Sequence, residues 1–209
     1  MLSHGADINI QDAHGNTPLH LALQKCPHLV DVLLSYHPLI DIRNNLQGTP
    51  LHAALENSDS KNAKEFIERG ADVNAINSNG NTPVLIAANS CPEVIYDLVK
   101  KNALLDKPNA QGITSLHVLL KKKNIHLAQS FINAGVNVNA QDENGISPLM
   151  IAAQNDLSEI FILLLQKGAD HTLKDVHGQD CTSRLGGWWG NSDVRGEYEG
   201  YIYYHFKNN

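Results

Sequence analysis

The chain lacks most of what would cross-link it, anchor it in a membrane or equip it for chemistry. Its three cysteines, Cys26, Cys91 and Cys181, are an odd number with no metal-type spacing. No apolar run approaches the roughly 18–20 residues of a membrane span; the longest are short pieces such as 160–165, Ile-Phe-Ile-Leu-Leu-Leu. The first residues have neither the basic start nor the apolar stretch of a signal peptide, so an intracellular, cytoplasmic location is expected, with secretion into a host cell left open. A net charge of −6 and a pI near 6.0 give no overall basic field for nucleic acid or an anionic membrane. Glycine-rich phosphate loops, paired helical histidines with a glutamate, and nucleophile-elbow glycines are all missing. Neither a metal nor a cofactor is expected, and the chain is not expected to be an enzyme.

What the chain does have is repetition. Gly15-Asn16-Thr17-Pro18-Leu19-His20 recurs as Gly48-Thr49-Pro50-Leu51-His52 and Gly80-Asn81-Thr82-Pro83-Val84. Gly112-Ile113-Thr114-Ser115-Leu116-His117 and Gly145-Ile146-Ser147-Pro148-Leu149 follow, and a worn copy starts at Gly178. Measured on the Thr or Ser, the steps are 32, 33, 32 and 33 residues. A period of this length marks stacked supersecondary units rather than one closed core.

Within the copy at 142–174, the stretch from Asp142 to Gly145 is a turn signature. Ser147 suits an N-cap and Pro148 the first helical position, where its missing N–H costs nothing. A short alanine-bearing helix follows, then a break at Asn155-Asp156 and a second helix over 158–166. Gly168 ends that helix in the usual glycine role. Five such helix pairs are expected between residues 17 and 167. Cys26-Pro27 and Cys91-Pro92 occupy one slot in repeats one and three, where Cys would end the first helix and Pro start the next. At about 8–10 Å per packed helix those two sulfurs sit too far apart for a disulfide.

The units resemble ankyrin repeats, matching Asp-x-x-Gly-x-Thr-Pro-Leu-His-x-Ala-Ala and the closing Gly-Ala-Asp-Val-Asn-Ala. The second phrase appears at Gly5-Ala6-Asp7-Ile8-Asn9, at 70–75, at 135–140 and at Gly168-Ala169-Asp170. The resemblance implies an all-α solenoid, a right-handed curved stack with hairpin-like loop tips and a concave face of inner helices. It implies a scaffold that binds a protein partner through the tips and that face. From charge and apolar-run length, no nucleic acid and no membrane insertion are expected, and the chain is expected to be monomeric. Five repeats are placed at 12–43, 44–76, 77–108, 109–141 and 142–174. Residues 1–11 read as the end of a repeat whose helices are missing, and 175–185 as a degenerate sixth. His20, His52 and His117 take the family's structural, hydrogen-bonding role. Two departures stand out: Leu119 fills a slot that is alanine in the other repeats, and 37–41 and 102–106 replace the Gly-Ala-Asp phrase.

The family's variable contact positions fall, in repeats four and five, on Gln111, Ile113, Lys121 and Lys122, then on Glu143, Asn144, Ile146 and Gln154. Ile113 and Ile146 are apolar where earlier repeats have Asn16, Gly48 and Asn81, so they are expected to form an apolar centre with a charged rim. Two further readings stand beside partner binding. One is a targeting or regulatory module of a larger enzyme, channel or secreted host-interaction effector. The other is an asparaginyl hydroxylase substrate at Asn74 or Asn139, which resemble that enzyme class's targets. Seven of the twelve aromatics crowd into the last 24 residues, and 186–209 is expected to cap the stack or to recognise a partner.

Overall fold

The computed structural model describes residues 6–184 together with Gly196 and Gly200, both helical. The aromatic segment expected to cap the stack or bind a partner otherwise lies outside the described residues. These fall into two compact units, divided between Ala110 and Gln111.

The first unit holds α1 (Pro18–Lys25), α2 (Val30–Leu34), α3 (Pro50–Glu56), α4 (Ser60–Glu68), α5 (Pro83–Ser90) and α6 (Ile95–Lys100). The second holds α7 (Ser115–Lys121), α8 (Ile125–Asn133), α9 (Pro148–Gln154) and α10 (Ser158–Gln166), then a 3₁₀ turn at Thr182–Arg184. No strand occurs among the described residues. Every odd-numbered helix starts the same way. The Thr or Ser before it is extended, as at Thr49 (φ −92°, ψ 167°), and its hydroxyl accepts an N–H of the first turn.

The turn between paired helices has two forms, which explains why repeats one and three look different in sequence. Repeats two, four and five use a left-handed residue, Ser58 (φ 56°), Lys123 (φ 56°) and Asp156 (φ 58°). Repeats one and three instead pass through Cys26-Pro27 and Cys91-Pro92, each Cys ending an α-helix and each Pro opening a 3₁₀ turn. At the other end of the second helix, Gly70, Gly135 and Gly168 are left-handed with open space where a Cβ would go. His37 (φ 52°) and Asn102 (φ 63°) hold the same conformation without being glycine.

In the first unit α3 packs between α1 and α5, and α4 lies against α3. Leu51, Leu55, Phe66 and Val84 are fully buried there. In the second, α7 packs on α9 and α8 on α10, burying Leu116, Phe131, Leu149 and Phe161. Leu119, in its alanine slot, is fully buried as well. No pair of helices encloses its own core, so each repeat draws its stability from its neighbour. The three cysteines are free, and burial pushes the Cys181 thiol up to about 12.

Candidate functional site

Five of the loop tips are each built on one Asx residue. The Asp142 Oδ1 accepts the N–H groups of Asn144 and Ile146, both at 3.0 Å. Asp12, Asn44, Asn77 and Asp175 make the same pair of bonds in their own tips, at 2.8–3.0 Å. The backbone N–H groups of Asn16 and Gln179 are the largest influence holding the Asp12 and Asp175 carboxyls below the usual range. Successive tips are then tied backbone to backbone. In the first unit Asn45 N–H donates to His14 O at 2.9 Å, Ser78 to Leu46 at 2.8 Å and Ala110 to Asn79 at 3.0 Å. In the second, Glu143 N–H donates to Gln111 O at 2.8 Å and Val176 N–H to Asn144 O at 3.0 Å.

Three histidines fasten the tips to the helices. His117 Nδ1 accepts the Thr114 N–H at 3.2 Å and lies 2.8 Å from its hydroxyl, so the ring proton sits on Nε2. That nitrogen donates across the repeat to the Ile146 carbonyl at 3.0 Å. His20 reaches the Gly48 carbonyl at 3.1 Å and His52 the Asn81 carbonyl at 3.2 Å in the same way. Burial is the main cause that lowers the pKa of all three below 6.5. Both nitrogens of each ring are occupied within the fold, which leaves neither for catalysis. Among the described residues no group of three or more His, Cys, Asp or Glu could hold a metal ion.

The residues expected to meet a partner are unequally placed. Lys122, Glu143 and Asn144 are exposed, while Gln111, Ile113 and Ile146 are half-buried. Lys121 leans back to the buried Asp142 carboxylate, with Nζ 3.7 Å from Oδ2. Gln154 is engaged too, its Oε1 accepting from Arg184 at 3.3 Å. Arg184 also pairs with the buried Asp175, holding segment 175–184 against α9. Asn74 and Asn139 each bind the next repeat from both ends of the amide. Asn74 accepts the Leu104 N–H at 2.8 Å and donates to the Asn102 carbonyl at 3.3 Å. Asn139 accepts the Asp170 N–H at 2.7 Å and donates to the Gly168 carbonyl at 3.0 Å. A hydroxylase would have to open those bonds first.

Sequence reasoning missed a concavity in the first unit. A groove of about 140 Å³ runs between the tips of repeats two and three and the inner helix α3, lined by Gln24, Leu46, Gly48, Glu56, Asn77 and Asn79 among others. Its signal was present in the repeat alignment: Gly48 is the one glycine in a slot otherwise filled by Asn16, Asn81, Ile113 and Ile146.

A family model described as "Ankyrin repeats (3 copies)" matches residues 1–77, 24–109 and 84–175. The chain belongs to the ankyrin-repeat family. It is an all-α ankyrin solenoid, a module type used for binding other proteins. Curated relatives include the nuclear factor NF-kappa-B p105 subunit of Gallus gallus, 29% identical over 77% of this chain and 18% of its own length. The B-cell lymphoma 3 protein homolog of Mus musculus is 30% identical over 84% of this chain and 42% of its own. The transient receptor potential cation channel subfamily A member 1 of Homo sapiens is 31% identical over 78% and 16%. The chain spans less than half the length of each. No helix among the described residues is long and apolar enough to cross a membrane.

Proposed function

We propose that this chain is a non-catalytic binding module that holds a protein partner against the tips and inner-helix ends of repeats four and five. The observation that carries the reading is the preorganised pair of tips, joined by the 2.8 Å bond from Glu143 N–H to Gln111 O and braced by His117. A surface fixed before binding loses little conformational entropy when it is covered. Lys122, Glu143 and Asn144 project from it into solvent and supply a charged and polar rim. The half-buried Ile113 and Ile146 supply the apolar centre. Lys121 contributes through its stem and by neutralising Asp142, and Gln154 marks the edge nearest Arg184. We place the module inside the cell as a monomer, and the short share of each relative that it matches favours a regulatory part of a longer protein.

The test is affinity capture of partners, followed by binding measurements on an Ile113→Asn/Ile146→Asn double variant. Asparagine occupies this slot at Asn16 and Asn81, so the fold should be retained. Binding to the captured partner should weaken by more than about 2 kcal/mol if the isoleucines are a hot spot. Wild-type affinity in a folded double variant would remove these two repeats from the interface.

A further inference from the structure

Gly48 changes the chemistry of its neighbourhood as well as its shape. In the adjacent seams the Asx of one tip reaches the side chain of the tip before it: Asn44 Nδ2 donates to Asn16 Oδ1 at 3.1 Å, and Asn109 Nδ2 to Asn81 Oδ1 at 3.0 Å. Asn77 faces Gly48 in that register and finds no side chain. Its Oδ1 is used within its own tip, but its amide nitrogen has no partner among the described residues. Glu56, the last residue of α3, lines the same groove and makes no hydrogen bond or ion pair among them. Desolvation alone pushes its carboxyl above the ordinary range, although the residue is exposed at its outer edge. Leu46, beside both, is 70% exposed at the tip of repeat two. No cationic side chain lines the groove. An unpaired carboxylate, an idle amide donor and a bare leucine thus share a space suited to one long side chain.

We infer that this groove is a socket for a basic residue, arginine in the first place, carried on an extended segment of a protein partner. A guanidinium would donate to the Glu56 carboxylate, its aliphatic stem would lie on Leu46, and the residue's own backbone carbonyl would accept from the Asn77 amide. Arginine suits the site better than lysine because its planar fork pairs with a carboxylate through two parallel N–H bonds and is more weakly hydrated. The inference rests on the reading of the chain as a protein-binding module but concerns different repeats, two and three, in the first unit.

The experiment is a heteronuclear NMR titration of the whole chain with N-acetyl-arginine amide, N-acetyl-lysine amide and the uncharged N-acetyl-citrulline amide. The arginine probe should give saturable shifts at Leu46, Gly48 and Glu56, at least tenfold tighter than citrulline. Glu56→Gln should weaken it at least tenfold. Gly48→Asn should abolish it, because that side chain would refill the socket and give Asn77 its acceptor. At Gly48 a Cβ would come no nearer than 3.4 Å to the Asn44 side chain, so that variant should fold, as its circular dichroism would check. Equal shifts from arginine and citrulline, or wild-type arginine binding by folded Gly48→Asn, would overturn the socket. Equal affinity for lysine would overturn the preference for arginine. Failure here with partner binding intact at Ile113 and Ile146 sinks only the socket. A working socket with an unaffected double-isoleucine variant sinks only the interface at repeats four and five.

Discussion

Replacing His117 by Leu separates the histidine's hydrogen bonds from its bulk, because Leu85 and Met150 fill the same slot in repeats three and five. The change removes the acceptor of the Thr114 N–H, which is buried, and the donor to the Ile146 carbonyl. An orphaned buried N–H costs about 1–3 kcal/mol, and a lost ring-to-carbonyl bond about 0.5–1.5 kcal/mol. The Ile146 carbonyl is not orphaned, since Asp142 N–H still reaches it at 3.1 Å. Burial of a leucine in place of an imidazole offsets about one of these, leaving a net loss of about 1–3 kcal/mol at pH 7.5. The pH dependence sharpens the test. His117 has a folded pKa below 6.5, so the unfolded chain takes up the proton first as pH falls. Its stabilisation is complete above about pH 6.5 and is lost below that value towards the folded pKa. One unit down, at pH 5.5, that loss reaches at most about 1.4 kcal/mol, and the leucine variant does not share it. Urea unfolding at both pH values, with the slope m checked for constancy, measures the gap between the two proteins. It should narrow at pH 5.5. A gap that stays the same, or a variant as stable as wild type at pH 7.5, would refute the account of the histidine.

Leu149→Ala should cost about 2–5 kcal/mol, since Leu149 is 1% exposed between α9 and its neighbours; a loss under about 1 kcal/mol in urea unfolding would mean that the site collapses around the cavity or is not core. His37→Gly should stabilise the first repeat by about 0.5–1 kcal/mol. Relief of the left-handed backbone at φ 52° outweighs the added freedom of the unfolded chain, and a thermal midpoint that falls would show that the His37 side chain has a role in the fold.

Features that depend on one repeat alone were legible in the sequence. Thr-Pro places a helix start through local capping, Cys-Pro ends one helix and opens the 3₁₀ turn that precedes the next, and His in the fourth position of Thr-Pro-Leu-His finds its own Thr. Features that depend on the neighbouring repeat were hidden. Lys121 looked like one free member of a Lys121-Lys122 pair, yet Asp142, twenty-one positions further on, draws it in. Gln154 looked available, yet Arg184 from the worn sixth copy takes it. The groove at Gly48 shows why: an absent side chain matters only through what the adjacent tip would have bonded to it.

The seams between tips also constrain how such a protein can be rearranged. Where one tip offers asparagine, as at Asn16 or Asn81, the next supplies an amide, Asn44 or Asn109. Where the tip slot is isoleucine, as at Ile113 or Ile146, the next supplies a carboxylate, Asp142 or Asp175, neutralised by Lys121 or Arg184. A repeat therefore carries half of two junctions, and its partner halves lie on other repeats. Transplanting repeat five behind repeat one would set Asp142 beside Asn16 and leave its lysine behind. Setting a carboxylate tip behind an asparagine slot breaks a junction, whereas deletion of repeat two would set Asn77 beside Asn16 and keep an amide against an amide. For the tips that carry a carboxylate, Asp142 and Asp175, the unit an engineer should cut is the junction with its cation rather than the repeat.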